Sequence, residues 1–258
     1  MLFGVRNTLF LHKNSAGHMN DGIVIIPTYN EIENIEAIIR AVFSLDTPFD
    51  VLIVDDNSPD GTAQKVRELQ QEYDGKLFLE VRAIKSGLGT AYVHGFKWSI
   101  ARKYEYIFEM DADFSHNPND LEKLYAACKK GADMSIGSRY VTGVNVVNWP
   151  LSRVLMSYYA SSYVRAITGM TIRDTTAGFV CYKRKVLESV NLDRIKFVGY
   201  AFQIEMKYRA YANGFNIVEV PIIFTDRTKG ESKMSGAIFK EAIFGVITLR
   251  MKKMLNRL

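Results

Sequence analysis

Tyr106-Ile107-Phe108-Glu109-Met110-Asp111-Ala112-Asp113 is the stretch on which the reading of this chain turns. A mostly apolar run delivers two acids, one residue apart, to what reads as the C-terminal end of a buried strand. Open α/β sheets bind their ligands along that edge. Two close carboxylates repel each other, and burying them costs free energy unless a cation lies beside them. A hard divalent ion such as Mg²⁺ or Mn²⁺ meets that need and prefers oxygen ligands. Ala112 leaves room for a ligand to approach the backbone. The expectation is a bound metal, and on the metal a phosphate.

Upstream of this strand the chain alternates. Gly22 to Pro27 reads as a buried strand, with helical spacing from Asn34 to Leu45. A second strand, Asp50 to Val54, ends in the turn-rich run Asp55-Asp56-Asn57-Ser58-Pro59-Asp60-Gly61-Thr62, after which a helix runs to about Tyr73. Leu77 to Arg82 reads as a strand, and Gly87-Leu88-Gly89 opens a helix to about Ala101. Downstream lie a helix from Leu121 to Lys130 and a strand from Asp133 to Gly137. This alternation predicts an α/β fold with a largely parallel sheet and right-handed crossovers. Asp55-Asp56 and Asp111/Asp113 would then share one edge of it. The second half reads differently: a helix from Trp149 to Thr168, strands over Phe179 to Tyr182 and Phe215 to Phe224, and a helix from about Phe202 to Ala212 between them.

The 258 residues suit one α/β domain with an appendage, and 48% hydrophobic with 24% charged residues excludes disordered and fibrous classes. Cys128 and Cys181 are far apart and form no CxxC, which suits a reducing compartment. Charge is unevenly spread. Residues 1–138 hold 14 Lys and Arg against 20 Asp and Glu; residues 139–258 hold 19 against 8. Such asymmetry points the second half toward an anionic partner: phosphates, an anionic membrane surface or nucleic acid. No uncharged apolar run of about 18 residues exists, so no transmembrane helix is expected. Residues 1–18 carry only a short apolar patch around Leu9-Phe10-Leu11 and are expected to be a poorly ordered extension, with Met19 a candidate start. The main folded domain is expected over 19–235. Residues 236–258 form an amphipathic basic helix, suited equally to a membrane interface and to packing on the domain.

The acidic pair is one of an ordered set. Pro27-Thr28-Tyr29-Asn30-Glu31 follows the first strand, Val54 through Thr62 the second, Lys85-Ser86-Gly87-Leu88-Gly89-Thr90-Ala91 precedes the third helix, and Asp111 through Pro118 comes next. Gly137-Ser138-Arg139-Tyr140 and Val220-Pro221 through Lys233 follow. Over roughly residues 22–250 this set resembles the family 2 inverting glycosyltransferases of GT-A fold, and within them the dolichyl- and polyprenyl-phosphate mannosyltransferases.

That resemblance implies roles. Pro27, Tyr29, Glu31, Val54 and Asp56 would line the base and ribose pocket of a nucleotide-sugar donor, GDP-mannose. Asp111, Ala112 and Asp113 would meet ribose, diphosphate and metal, with Mg²⁺ or Mn²⁺ held by Asp113, Asp111 and Ser115. Ser115 stands where some relatives carry a metal-ligating Gln; a hydroxyl is the weaker ligand, and water competes for that place. Arg139, Arg153 and Ser157 match positions that hold the acceptor phosphate, and Arg227 and Lys233 lie in a basic loop expected to close over the donor. Asp113, Arg139 and Arg227 would carry the catalysis. The implied partners are the donor, a dolichyl or polyprenyl phosphate, the membrane surface and a small membrane partner subunit; nucleic acid is not among them. The implied location is the cytoplasmic face of the membrane, held peripherally.

Physical chemistry agrees with this set. Cleaving a sugar–diphosphate bond leaves negative charge on the diphosphate, which a metal and fixed cations stabilise as it develops. A phosphate acceptor is already an anionic nucleophile and needs orientation rather than a general base. Other readings stay open on the sequence alone. Glu31 also fits an ordinary acid in a helix's first turn, Asp55 or Asp56 a turn cap, and Gly87 and Gly89 close packing of a helix start. A glucosyl- or N-acetylhexosaminyltransferase would carry the same motifs. A hydroxyl acceptor would need a base, for which Glu205 is the candidate. A non-catalytic nucleotide-sugar binder would have no use for acceptor residues.

Overall fold

The structure, a computed structural model, describes residues 20–197, 199–226 and 236–255. The extension read over residues 1–18 lies outside them. Nine strands and eight α-helices alternate through the described chain. Strands β1 (Gly22–Thr28), β2 (Asp50–Asp55), β3 (Leu77–Val81) and β4 (Tyr106–Glu109) are separated by helices α1 (Ile35–Phe43), α2 (Thr62–Gln70) and α3 (Leu88–Ala101). Then come α4 (Asp120–Lys129), β5 (Met134–Ser138), β6 (Val146–Val147), α5 (Leu151–Thr168), β7 (Val180–Lys183), α6 (Arg184–Ser189), α7 (Tyr200–Ala212), β8 (Ile217–Pro221), β9 (Phe224–Thr225) and α8 (Gly236–Met254).

Seven strands form one sheet in the order β3-β2-β1-β4-β7-β5-β8. All its neighbours pair in parallel except β7, which runs antiparallel between β4 and β5. The order reverses between β1 and β4, and such a switch point opens a crevice beyond the strands' carboxyl ends. The expected α/β architecture is present, with the antiparallel β7 as its departure from a wholly parallel sheet.

Side-chain alternation on the central strands divides the core in two. On β1, Ile23 and Ile25 face α3, where they join Tyr92 and Phe96, while Val24 and Ile26 face α1 with Ile35, Ile38 and Ile39. Both faces are covered, so β1 and β2 read as unbroken apolar runs. Gly89 records how tightly α3 meets its neighbours: a Cβ there would lie 2.8 Å from the Phe197 carbonyl oxygen and 2.9 Å from the Phe202 ring. Gly87, at φ +96°, takes a backbone conformation that L side chains rarely adopt. The glycines of this turn therefore serve packing and turn geometry.

Two expectations change. The strand read over Phe215–Phe224 is two strands. β8 extends the main sheet beside β5, and β9 leaves it to pair in parallel with β6, as Val146 opposite Phe224 and Val147 opposite Thr225. The strand read through Asp113 ends at Glu109, so both aspartates sit in the following loop. Among the described residues, no helix is long and apolar enough to cross a membrane.

Candidate active site

The carboxyl ends of β1 and β2 are stitched together before any ligand arrives. Asp55, fully buried, accepts hydrogen bonds from Thr28 Oγ1 (2.8 Å), Ser58 Oγ (2.6 Å) and the Ser58 amide (2.9 Å). Asp56 points the other way and is bound by Arg82 at 2.5 Å. Arg82, at the end of β3, also donates to Thr90 Oγ1 (2.8 Å) on α3. Asp55 is thus a structural tie, and Asp56 is the acid that the Arg82 guanidinium sets in place. Pro27 and Val54 are register partners across β1 and β2. Val54 is fully buried and supports the shelf from beneath, whereas Pro27, Tyr29 and Glu31 are half-buried at its rim. Lys85 Nζ lies 3.9 Å over the Tyr29 ring, a cation–π contact.

The acidic loop is shaped by its own side chains. The Ser115 amide donates to Asp113 Oδ1 (3.0 Å), an Asx turn that carries Phe114 at φ 58°. The Tyr92 hydroxyl donates to Asp111 Oδ1 (3.2 Å) from α3. Burial and then the nearby Asp111 and Glu109 charges push that hydroxyl's pKa well up, so it remains a donor. The Thr225 amide donates to the Ser115 carbonyl (3.2 Å), tying the β6–β9 ribbon to the loop.

Among the described residues no group of three or more His, Cys, Asp and Glu side chains converges as a metal cage. The donor set still fits Mg²⁺ or Mn²⁺. Two carboxylates and a buried hydroxyl, all hard oxygens, lie within five residues of one tight turn, and Mg²⁺ ordinarily completes its shell with phosphate oxygens and water. His116 is no obvious ligand. It is buried, stacks on Phe179 at 4.9 Å, and burial pulls its pKa down to about 4.

Arg139 and Arg153 gather on one indole. The guanidinium carbon of Arg153 is 4.1 Å from the Trp149 ring centroid and that of Arg139 is 5.5 Å from it. Arg153 Nη1 also donates to Asp226 (2.9 Å). Ser157 lies one turn along α5 from Arg153, half-buried. Arg139 is itself held from behind: Nε and Nη2 donate to the two oxygens of Asp174 (2.7 and 2.6 Å), and Nη2 to Thr176 Oγ1 (2.9 Å). Burial acts to raise the Asp174 pKa, but Arg139 outweighs it and holds the carboxyl below the usual carboxylate range.

Glu205 is fully buried and chelates Arg209 through Nε (3.0 Å) and Nη2 (2.7 Å). It also accepts the Lys196 amide (3.2 Å). This carboxylate locks a helix to its preceding loop and is poorly disposed to take a proton from a substrate.

The structure therefore brings Asp111, Ala112, Asp113 and Ser115 into one loop, Pro27, Tyr29, Glu31, Val54 and Asp56 along the adjoining shelf, and Arg139 and Arg153 around Trp149, with Ser157 one turn along α5 from Arg153. Arg227 and Lys233 lie outside the described residues. The sequence reading missed Arg82, Tyr92, Trp149 and Asp174 as parts of the site. Arg82 could have been found, since it ends a strand at the ligand-binding edge; Asp174 lies in a segment without periodicity and gave no signal.

An acidic loop at the switch point of this sheet, tied through the β6–β9 ribbon to a basic aromatic cluster, defines the class, a glycosyltransferase of the GT-A type. The chain belongs to glycosyl transferase family 2, whose pattern matches residues 23–190. It is 46% identical to the polyprenol monophosphomannose synthase of Mycolicibacterium smegmatis, covering 91% of this chain and 89% of that protein. It is 44% identical to the undecaprenyl-phosphate mannosyltransferase of Micrococcus luteus, covering 87% and 91%. Among solved structures it is similar in fold to glucosyl-3-phosphoglycerate synthase of Mycobacterium tuberculosis in complex with Mn²⁺, uridine diphosphate and phosphoglyceric acid. The TM-score is 0.66 at 15% identity, covering 88% of this chain and 78% of that one.

Proposed function

We propose that the protein transfers mannose from GDP-mannose to a polyprenyl phosphate, with inversion at the anomeric carbon. The observation that carries this reading is the pairing of Arg139 and Arg153 around Trp149 on the ligand edge of the sheet. Two guanidiniums against one indole suit a phosphate monoester, which guanidiniums bind bidentately. A phosphate oxygen attacks the anomeric carbon, the bond to the diphosphate breaks, and GDP departs from the opposite face. No proton need be removed from the acceptor, which accords with Glu205 being engaged by Arg209. The names of the relatives at 46% and 44% identity favour the same sugar and acceptor.

The shelf of Pro27, Tyr29, Glu31 and Asp56 would bind the nucleoside, and Asp113, with Asp111 and Ser115, would hold Mg²⁺ or Mn²⁺. When bound, the ion supplies positive charge against which the diphosphate leaves. Arg227 and Lys233 would add to that charge from the segment that follows Asp226.

The enzyme would work at the cytoplasmic face of a membrane, peripherally or with a small membrane subunit. Supporting this, α5 exposes Leu151, Leu155, Met156 and Tyr159, and α8, packed against it, exposes Ile247, Met251 and Met254. The inner side of α8 packs through Val246 and Leu249, with Arg250 and Lys253 donating to the Thr168 and Ala212 carbonyls. One helix would thus serve both uses that its sequence suggested.

The decisive assay offers purified protein a panel of labelled nucleotide sugars with polyprenyl phosphate, and separately with the unphosphorylated polyprenol. Transfer only from GDP-mannose and only to the phosphate is expected; label appearing in polyprenol, free glycan or water alone sinks the reading.

A further inference from the structure

Behind the active site lies a buried cation that the reaction above does not use. Lys207, in the middle of α7, is fully buried. Its Nζ donates to the Ala177 carbonyl (2.6 Å), Gln203 Oε1 (3.1 Å) and the Gln203 carbonyl (3.3 Å). The other end of the same amide, Gln203 Nε2, donates to Glu109 Oε2 (2.6 Å), whose Oε1 accepts the Tyr182 hydroxyl (3.2 Å). Glu109 too is fully buried. Gln203 therefore bridges a buried ammonium and a buried carboxylate that do not touch each other directly.

The two ends of this bridge lead to the two halves of the site. Glu109 is the last residue of β4, two positions before Asp111. Ala177 lies on the segment that carries Asp174 and Thr176, the two residues that hold the Arg139 guanidinium. Lys207 thus anchors the Arg139 clamp by one bond and, through Gln203, the root of the acidic loop by another. As a source of stability alone the arrangement is poorly chosen, because removing two charges from water costs several kcal/mol per ion and apolar residues of like volume often serve as well. Its distinctive product is geometric: beyond the β4–β7 pairing, where Glu109 stands opposite Val180, it adds a side-chain tie between the Ala177 segment and the root of the acidic loop.

We propose that Lys207 is a positioning residue that holds the Arg139 clamp in register with the Asp111–Asp113 loop, so that the acceptor phosphate meets the sugar at bonding distance. This rests on the proposed role of Arg139 at the acceptor phosphate. The phosphate acceptor touches Arg139; Lys207 acts only through the segment behind it.

The experiment is a double-mutant cycle read in bisubstrate kinetics, with GDP-mannose and polyprenyl phosphate varied separately. Lys207→Met leaves the Glu109 charge buried alone, so the charge-balanced pair Glu109→Gln with Lys207→Met is made alongside it to secure a folded protein. In the folded variant the acceptor KM is expected to rise about tenfold or more, with the donor KM within about twofold. Combined with Arg139→Ala, the Lys207 substitution should add little, because residues acting through one another are not additive. An unchanged acceptor KM, an equal rise in both KM values, or full additivity with Arg139→Ala overturns the inference. If wild-type protein gives no transfer to polyprenyl phosphate, or Arg139→Ala leaves the acceptor KM unmoved, the underlying reading of the site fails and this inference falls with it. An acceptor-selective Arg139→Ala beside a silent Lys207 defeats this inference alone.

Discussion

Asp174 grips Arg139 with both carboxylate oxygens, at 2.7 Å to Nε and 2.6 Å to Nη2, and the carboxylate is fully buried. A planar guanidinium held in this forked way has one orientation, which Lys could not reproduce. Asp174→Asn keeps the size and removes the charge that fixes the fork. It should raise the acceptor KM by roughly tenfold with the donor KM little changed, whereas Asp174→Ala should also destabilise the fold by about 3–5 kcal/mol, as expected when a buried pair loses one partner. Steady-state kinetics and urea titration separate the two effects. A donor-selective defect would move Arg139 to the nucleotide side.

Asp113→Ala should leave the fold intact, since Asp113 packs no apolar core, and should lower transfer by about 10³-fold or more, the scale of a lost metal contribution. The check is transfer against added Mn²⁺, with circular dichroism as the control for folding. Near-normal activity in the variant removes the metal role from this loop.

Arg82 is expected to act on the donor alone. It holds Asp56 at 2.5 Å on the shelf beside Tyr29, and losing a charge-assisted hydrogen bond of this kind costs about 1.5–3 kcal/mol. Arg82→Ala should weaken GDP binding by roughly tenfold or more in calorimetry and leave the acceptor KM in place. Unaltered GDP affinity would show that the Asp56 carboxylate has no part in nucleotide binding.

Lys207 makes a signed prediction in pH. Burial pulls its pKa down to about 8 from the ordinary 10.5. Between those values the folded chain has released this proton and the unfolded chain still holds it. The unfolded state then binds more protons, so this group's contribution to stability rises with pH across that window and is lost as pH falls through it. The stability of wild type relative to Lys207→Met should therefore climb from about pH 8 to about pH 10.5, with a slope of at most about 1.4 kcal/mol per pH unit. Urea titrations at four or five pH values measure it, and a flat or falling difference contradicts the assignment.

The apolar faces of α5 and α8 predict membrane attachment that charge can abolish. Tyr159 and Met251 are 65% and 57% exposed, so replacing both with Glu should leave the melting temperature nearly unchanged. Binding to vesicles containing anionic lipid should drop severalfold in flotation. Undiminished flotation would assign the attachment to another surface.

The alternating strands and helices of the first half were legible because each buried strand is a short apolar run bounded by turn residues, and each helix shows one apolar stripe. Ile35, Ile38, Ile39 and Val42 are buried as their spacing requires. The acidic loop was legible as chemistry, but its boundary was not. Met110 and Ala112 are as apolar as the strand before them, and only the backbone shows pairing ending at Glu109. The β8–β9 division was hidden for a similar reason. Val220 to Phe224 stays apolar across Pro221, while the chain leaves one sheet for another. Asp174 was beyond reach, since its contact with Arg139, 35 residues away, comes from a segment without periodicity and leaves no trace in either neighbourhood.

Trp149, ringed by Arg139 and Arg153, is one of two tryptophans in the chain. The other, Trp98, hydrogen-bonds Glu80 and lies under Arg102 on α3, away from the acceptor side. Replacing Trp98 with Phe would leave a single tryptophan, whose indole lies against both guanidiniums. Arrival of a phosphate would change the charge around that indole and hence its emission. The protein thus carries its own optical reporter, through which acceptor occupancy could be followed in real time, without label and without turnover.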